Sequence, residues 1–206
     1  MIINKQNSEQ VAEILLNINA VKLQPSSFFT WSSGRKSPIY CDNRLLLSYV
    51  KEREIIKNLF CQCIKENFKS IDYIAGVATG AIPHGIMVAE ELQLPFIYVR
   101  GEAKKHGRKN QIEGELNKNS NVIVIEDLIS TGKSSLNAIK AIEKNGSKVI
   151  GLISIFTYEF FNINRIQIPY FSLCDYSTLI EFAVKNDIIT KREKDILHTW
   201  QKEYLH

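Results

Sequence analysis

Glu126 and Asp127 are the residues of this 206-residue chain best placed to do chemistry. They are adjacent, they follow the apolar run Val122-Ile123-Val124-Ile125, and they lead into Leu128-Ile129-Ser130-Thr131-Gly132-Lys133-Ser134. A run that is β-branched throughout predicts a strand buried on both faces of a parallel sheet. The two carboxylates then fall at the carboxyl end of that strand, where open α/β sheets bind ligands. Ser130 to Ser134 offer a glycine, hydroxyls and backbone N–H groups at a helix start. Such a turn attracts phosphate, because unpaired N–H groups and the helix dipole both point at it.

Two other readings compete for this stretch. Gly132-Lys133-Ser134 is similar to the end of a nucleotide-triphosphate P-loop, but that motif needs a glycine where this chain has Asp127. The plainer alternative is an ordinary strand–turn–helix in which the carboxylates are solvated and Ser130 is a cap.

The elements that must position these residues follow from periodicity. Ser8 to Asn17 is an amphipathic helix, with Val11, Ile14, Leu15 and Ile18 at helical spacing. Ala20–Leu23, Phe28–Trp31 and Ile39–Cys41 are short strand-like pieces broken by Pro25, Gly34 and Pro38. Tyr49 to Phe68 is the longest helix. Strands are expected over Ile71–Val77, Phe96–Val99, Lys148–Phe156 and Phe171–Cys174. Helices are expected after Gly80 through Glu91, over Lys133–Lys144 with a stop at Asn145-Gly146, and over Ser177–Lys185. Thr190-Lys191-Arg192-Glu193 is a capping box that opens a terminal helix. Gly76 and Gly80 allow close backbone approach to a ligand, and His84 is read as structural. The alternation predicts one α/β domain with a central, mostly parallel sheet and right-handed crossovers. Residues 1–206 form that single domain, with about 1–48 as a small N-terminal hood and about 49–206 as the core.

Composition excludes several classes. No apolar run approaches the ~20 residues of a membrane span, and Met1 to Lys5 do not open a secretion signal. The four cysteines have no Cys-x-x-Cys pair and read as reduced core residues of a cytoplasmic protein. The net charge of +4 is local. Residues 100–110 hold Arg100, Lys104, Lys105, Arg108 and Lys109 against Glu102 alone, and the rest of the chain has 21 basic and 21 acidic residues. A local basic segment suits a small polyanion better than nucleic acid.

Acid-acid-x-x-Ser-Thr-Gly-x-Ser after an apolar strand resembles the phosphoribosyl-diphosphate (PRPP) motif of type I phosphoribosyltransferases. The resemblance implies their fold. It implies that Glu126 and Asp127 hold the ribose hydroxyls, that Thr131, Gly132, Lys133 and Ser134 wrap the 5-phosphate, and that Leu128, Ile129 and Ser130 belong to the same PRPP site. Carboxylates accept hydrogen bonds from a diol and a helix N-terminus donates them to phosphate, so the chemistry agrees. Ala78-Thr79-Gly80-Ala81 resembles the pyrophosphate loop of the family, with Thr79 and Gly80 at the ligand. Phe28 to Arg44 resembles the N-terminal signature of the orotate-specific branch, and Arg100 to Gly114 its mobile loop, with Arg100, Lys104, His106 and Gly107 matching. Gly101 departs from the usual lysine there.

The resemblance implies transfer of the phosphoribosyl group of PRPP to orotate in pyrimidine (UMP) biosynthesis, giving orotidine 5-monophosphate and pyrophosphate. Lys104, His106 and Arg100 would neutralise the pyrophosphate, and Ser130 would also touch orotate. Mg2+ would arrive with PRPP, with no dedicated protein metal site. A homodimer sharing the mobile loop is implied, with no nucleic-acid or membrane partner. The arginine that often follows the strand after the motif helix is missing at Thr157-Tyr158. Lys22, Arg35 and Arg44 are candidates for the orotate carboxylate, with Arg44 preferred from its place in the signature. The alternatives are transfer to another base, or a PRPP-sensing regulator without catalysis.

Overall fold

The computed structural model describes residues 2–31, 34–101, 111–160 and 167–205. Helix α1 (Lys5–Asn17) begins before the expected Ser8, because Asn4 caps it: Asn4 Oδ1 accepts from the Asn7 N–H at 2.8 Å. Four short strands follow, β1 (Val21–Leu23), β2 (Phe29–Thr30), β3 (Lys36–Ser37) and β4 (Ile39–Cys41), then a 3-10 turn over Asn43–Ser48. The remaining elements are α2 (Val50–Asn67), β5 (Tyr73–Val77), α3 (Ala81–Leu92), β6 (Phe96–Val99), β7 (Ile112–Glu113), β8 (Asn121–Ile129), α4 (Lys133–Lys144), β9 (Lys148–Thr157), β10 (Tyr170–Asp175), α5 (Tyr176–Lys185) and α6 (Lys191–Leu205).

The main sheet has the order β10-β9-β8-β5-β6-β7, parallel except where β7 turns back along β6. Side chains alternate across it. Tyr73, Ala75, Val77, Val122 and Val124 face one layer with Ala138, Ile139 and Ile142 of α4. Ile74, Ile123 and Ile125 face the other, with residues of α1, α2, α3 and α5. Both faces are covered, so the central strands are apolar throughout, as the β-branched run predicts. Outside this sheet β1 pairs with β4 and β2 with β3, both antiparallel.

One boundary moves in a way that matters for chemistry. The apolar run predicts the strand over Val122–Ile125, with both carboxylates at its carboxyl end. Instead β8 runs on through Glu126 and Asp127 to Ile129, because β9 stays beside it: Glu126 is opposite Ser154, Leu128 opposite Phe156 and Ile129 opposite Thr157. Continued pairing fixes which carboxylate points inward and which outward.

The terminal helix starts as the capping box requires. Thr190 N–H and Oγ1 donate to Glu193 Oε2 at 2.8 and 2.9 Å, and Glu193 N–H donates to Thr190 Oγ1 at 3.2 Å. Among the described residues no helix is long and apolar enough to cross a membrane.

Candidate active site

The strand pairing separates the two carboxylates. Glu126 is 3% exposed. Its Oε2 accepts from Ser134 Oγ and Ser135 Oγ, each at 3.0 Å, and its Oε1 accepts from the Asp127 N–H at 3.2 Å. It therefore ties the strand to the first turn of α4. Burial, then the adjacent Asp127 charge, hold its carboxyl well above the ordinary carboxylate range. Asp127 is half-buried at the surface of the same corner, and burial raises its carboxyl as well.

Gly80 stands against Asp127. A Cβ built on Gly80 would lie 2.1 Å from Asp127 Oδ2. Its φ is −63°, so backbone conformation does not demand glycine here; the approach of the carboxylate does. Thr79 before it is exposed, and the Ala78–Thr79 peptide is cis. Gly76, expected to make room for a ligand, makes room within the protein. A Cβ there would meet Ala81 O at 2.9 Å and the Phe96 ring at 3.2 Å, so its absence lets α3 start close to β5. His84, in the first turns of α3, is 2% exposed, and burial lowers its pKa to about 4.

The turn after β8 keeps its donors available. Gly132 takes φ +74°, a left-handed conformation suited to glycine, and heads α4 without a side-chain cap. Thr131, Lys133 and Ser134 are exposed around it. Helix N–H groups without a cap, at the positive end of the dipole, make an anion site.

Beside this turn lies a cleft of about 450 Å³ lined by Thr30, Trp31, Tyr40, Cys41, Leu128, Ser130 and Tyr158. Its walls come from β2, β4, the end of β8 and the residue after β9. The 3-10 turn locks them together: Asn43, 1% exposed, donates Nδ2 to the Asp127 carbonyl at 2.6 Å. Helix α6 backs the far wall. Trp31 lies edge-on to Trp200 with centroids 5.8 Å apart and packs on Tyr158 at 5.7 Å. Trp200 Nε1 donates to the Lys36 carbonyl at 3.1 Å, and Gln201 Nε2 to the Tyr158 carbonyl at 3.1 Å. Burial and the nearby Asp127 and Asp42 charges push the Cys41 thiol up, which disfavours its thiolate.

The cations of the N-terminal segment are disposed differently. Arg44 is not among the residues lining the cleft. Its exposed guanidinium is bidentate on Asp42, Nε to Oδ1 at 2.6 Å and Nη2 to Oδ2 at 2.8 Å. Arg35 lies over the Tyr204 ring, 3.8 Å from its centroid. Lys22 is exposed on β1, opposite Tyr40.

Known proteins resemble the chain over nearly its whole length. Residues 48–166 match the phosphoribosyl transferase domain model. An orotate phosphoribosyltransferase of Staphylococcus epidermidis is 45% identical over 198 residues, covering 94% of this chain and 98% of that one. One of Phocaeicola vulgatus is 48% identical over 199 residues, covering 95% and 94%. The chain belongs to the orotate phosphoribosyltransferase family. The crystal structure of orotate phosphoribosyltransferase from Aeropyrum pernix superposes with a TM-score of 0.74 at 29% identity, covering 87% of this chain and 99% of that one. The central sheet with its flanking helices is the type I phosphoribosyltransferase fold.

Arg100 and Gln111 flank residues 102–110, which lie outside the described residues. Arg100 N–H donates to Gln111 O at 2.9 Å, and Gln111 Nε2 donates to Arg100 O at 2.8 Å. The Arg100 guanidinium reaches Glu113 Oε1 at 3.4 Å. Lys104, His106 and Gly107 lie outside the described residues. The structure thus brings Thr79, Gly80, Glu126, Asp127 and Leu128 to Ser134 to one corner. It puts Arg44 in an ion pair at the cleft's margin. Asn43 and Tyr158 carry no local signal for this corner, because their partners are distant in the chain. Thr30, Trp31, Tyr40 and Cys41 fall within the signature, where aromatics flanking a basic turn are the available signal.

Proposed function

We propose that this chain transfers the 5-phosphoribosyl group of PRPP to orotate, giving orotidine 5-monophosphate and pyrophosphate in pyrimidine (UMP) biosynthesis. The observation that carries the reading is the cleft that shares Ser130 with the uncapped turn at Gly132. A flat heterocycle in the cleft and a phosphate on the turn would place a ribose between them, over Asp127. The anionic N1 of orotate bonds to C1 of the ribose, the C1–O bond to the diphosphate breaks, and the diphosphate leaves with that electron pair.

The chain's own residues orient and stabilise rather than attack. Thr131 to Ser134 hold the 5-phosphate through N–H and hydroxyl donors, while Leu128 and Ile129 carry that turn at the end of β8. Asp127 accepts from the ribose hydroxyls as positive character develops on the ring. Glu126, which already accepts from two serines and a backbone N–H, holds the turn in place beneath it. Thr79 and Gly80 present backbone to the diphosphate. Arg100, Lys104 and His106 neutralise it once the loop closes, which also excludes water.

Mg2+ enters with PRPP. Among the described residues no three His, Cys, Asp or Glu side chains converge as a cage. The available donors at the corner are carboxylate oxygens, which fit a hard ion that keeps several of its waters and takes one or two protein ligands. When bound, it neutralises the diphosphate. The chain acts as one domain, with about 1–48 as the hood over the core, in a cytoplasmic homodimer whose mobile loop completes the partner's site.

Lys104→Ala tests catalysis against mere PRPP sensing. The variant should lose orotate turnover while PRPP still binds. Turnover equal to that of the unaltered chain would remove the loop from the mechanism.

A further inference from the structure

Orotate carries a carboxylate, and none of the side chains that line the cleft brings a positive charge to it. A carboxylate moved into such a cleft without a cation or several donors would lose hydration with little in return. Among the described residues the N-terminal segment supplies the nearby cations; the side chain of Lys22, on β1 opposite Tyr40, makes no described hydrogen bond to a cleft residue, and two others are engaged. Arg44 is held by both oxygens of Asp42, and Arg35 is stacked on Tyr204.

Lys36 is placed otherwise. Its Nζ donates to Thr30 Oγ1 at 2.7 Å, and Thr30 lines the cleft. The two residues are direct cross-strand partners in the β2–β3 pair, so both project to one face. The described partner of this ammonium is a neutral hydroxyl, so its charge is still available to an anion. The root of the side chain is fixed: Trp200 Nε1 holds the Lys36 carbonyl, and the neighbouring Ser37 is fully buried. The stem above it is flexible enough to bring three N–H donors to a ligand at the rim. Because Thr30 Oγ1 accepts from Lys36, its own proton is free to point elsewhere. Ammonium and hydroxyl together offer two donors, matched to two carboxylate oxygens.

From this arrangement we infer that Lys36, presented by Thr30, recognises the carboxylate of orotate and is the residue that selects orotate over bases lacking that group. The inference rests on the reading of the cleft as the base site. It assigns Lys36 a role in specificity, not in the bond-breaking step.

The test compares the unaltered chain with Lys36→Gln, Lys36→Arg and Thr30→Val, varying orotate and PRPP separately, with uracil as a second acceptor and PRPP binding measured by calorimetry. Lys36→Gln should raise the KM for orotate by at least about tenfold, the scale of a lost charge-assisted hydrogen bond. It should change the Kd for PRPP by less than about twofold and narrow the preference for orotate over uracil by a similar factor to the KM rise. Lys36→Arg should keep most of that preference, and Thr30→Val should move it in the same direction as Lys36→Gln by less. An unchanged orotate KM in Lys36→Gln would overturn the assignment. So would a parallel loss of PRPP affinity in both Lys36→Gln and Thr30→Val, which would mark a structural role. If the unaltered chain does not turn over orotate at all, the reading of the cleft fails first and Lys36 falls with it.

Discussion

Gly80 and Asp127 are in contact in a way that admits no side chain between them: a Cβ on Gly80 would sit 2.1 Å from Asp127 Oδ2. The loop before α3 and the end of β8 therefore form one surface, with a carboxylate resting on backbone. Gly80→Ala should displace that carboxylate and leave α3, which begins at Ala81, able to form. The expected result is a fall in turnover on the order of tenfold to a hundredfold, with unfolding free energy changed by less than about 1 kcal/mol. Parallel kinetics and urea titrations check it. Full activity in the variant would mean that the position of Asp127 is immaterial.

Glu126 predicts a pH dependence. Its carboxyl is held above the ordinary value near 4.5 by burial and by Asp127. The folded chain therefore binds more protons than the unfolded chain from about pH 4.5 upward, and this group's contribution to stability is lost as pH rises through that window. Glu126→Gln removes the titration while keeping an oxygen for Ser134 and Ser135. Its melting temperature relative to the unaltered chain should climb between about pH 4.5 and 7, while activity at neutral pH falls. Parallel melting curves across that range would contradict the assignment.

Asn43 links the N-terminal strands to the site through its bond to the Asp127 carbonyl. Asn43→Ala leaves a partly buried carbonyl without that donor and should cost about 1–3 kcal/mol in urea unfolding. A cost near zero would show that the carbonyl finds another donor.

How much of this could be read from the chain depends on whether the cause was local. The apolar run at Val122, the stop at Asn145-Gly146 and the capping box at Thr190 each carry their signal within a few residues, and each element formed where expected. The end of β8 could not be read that way, because pairing with Phe156 and Thr157 extends it past two charged residues. Asn43 reaches a carbonyl 84 positions away, and Trp200 one 164 positions away. Arg44 looked well placed from its neighbours in the signature, yet Asp42, two residues before it, holds its guanidinium. The carboxylate pair and the turn after it were legible because their residues are consecutive; the neighbouring cleft was not, because its walls come from four separate elements.

Trp200 stands behind the cleft. Its ring meets Trp31 and Tyr158, two residues of the cleft wall, and its N–H holds Lys36. Trp200→Ala should destabilise the fold by about 3–5 kcal/mol. In conditions where the variant is still folded, it should raise the KM for orotate more than the KM for PRPP. Equal changes in both constants would indicate general loosening rather than damage to one wall.

The most direct measurement is orotate consumption by the purified chain with PRPP and magnesium, followed by ultraviolet absorbance, beside adenine, hypoxanthine and uracil. The account predicts loss of orotate alone, matched by pyrophosphate release and dependent on PRPP. Turnover of another base in place of orotate, or PRPP binding with no turnover of any base, would contradict it.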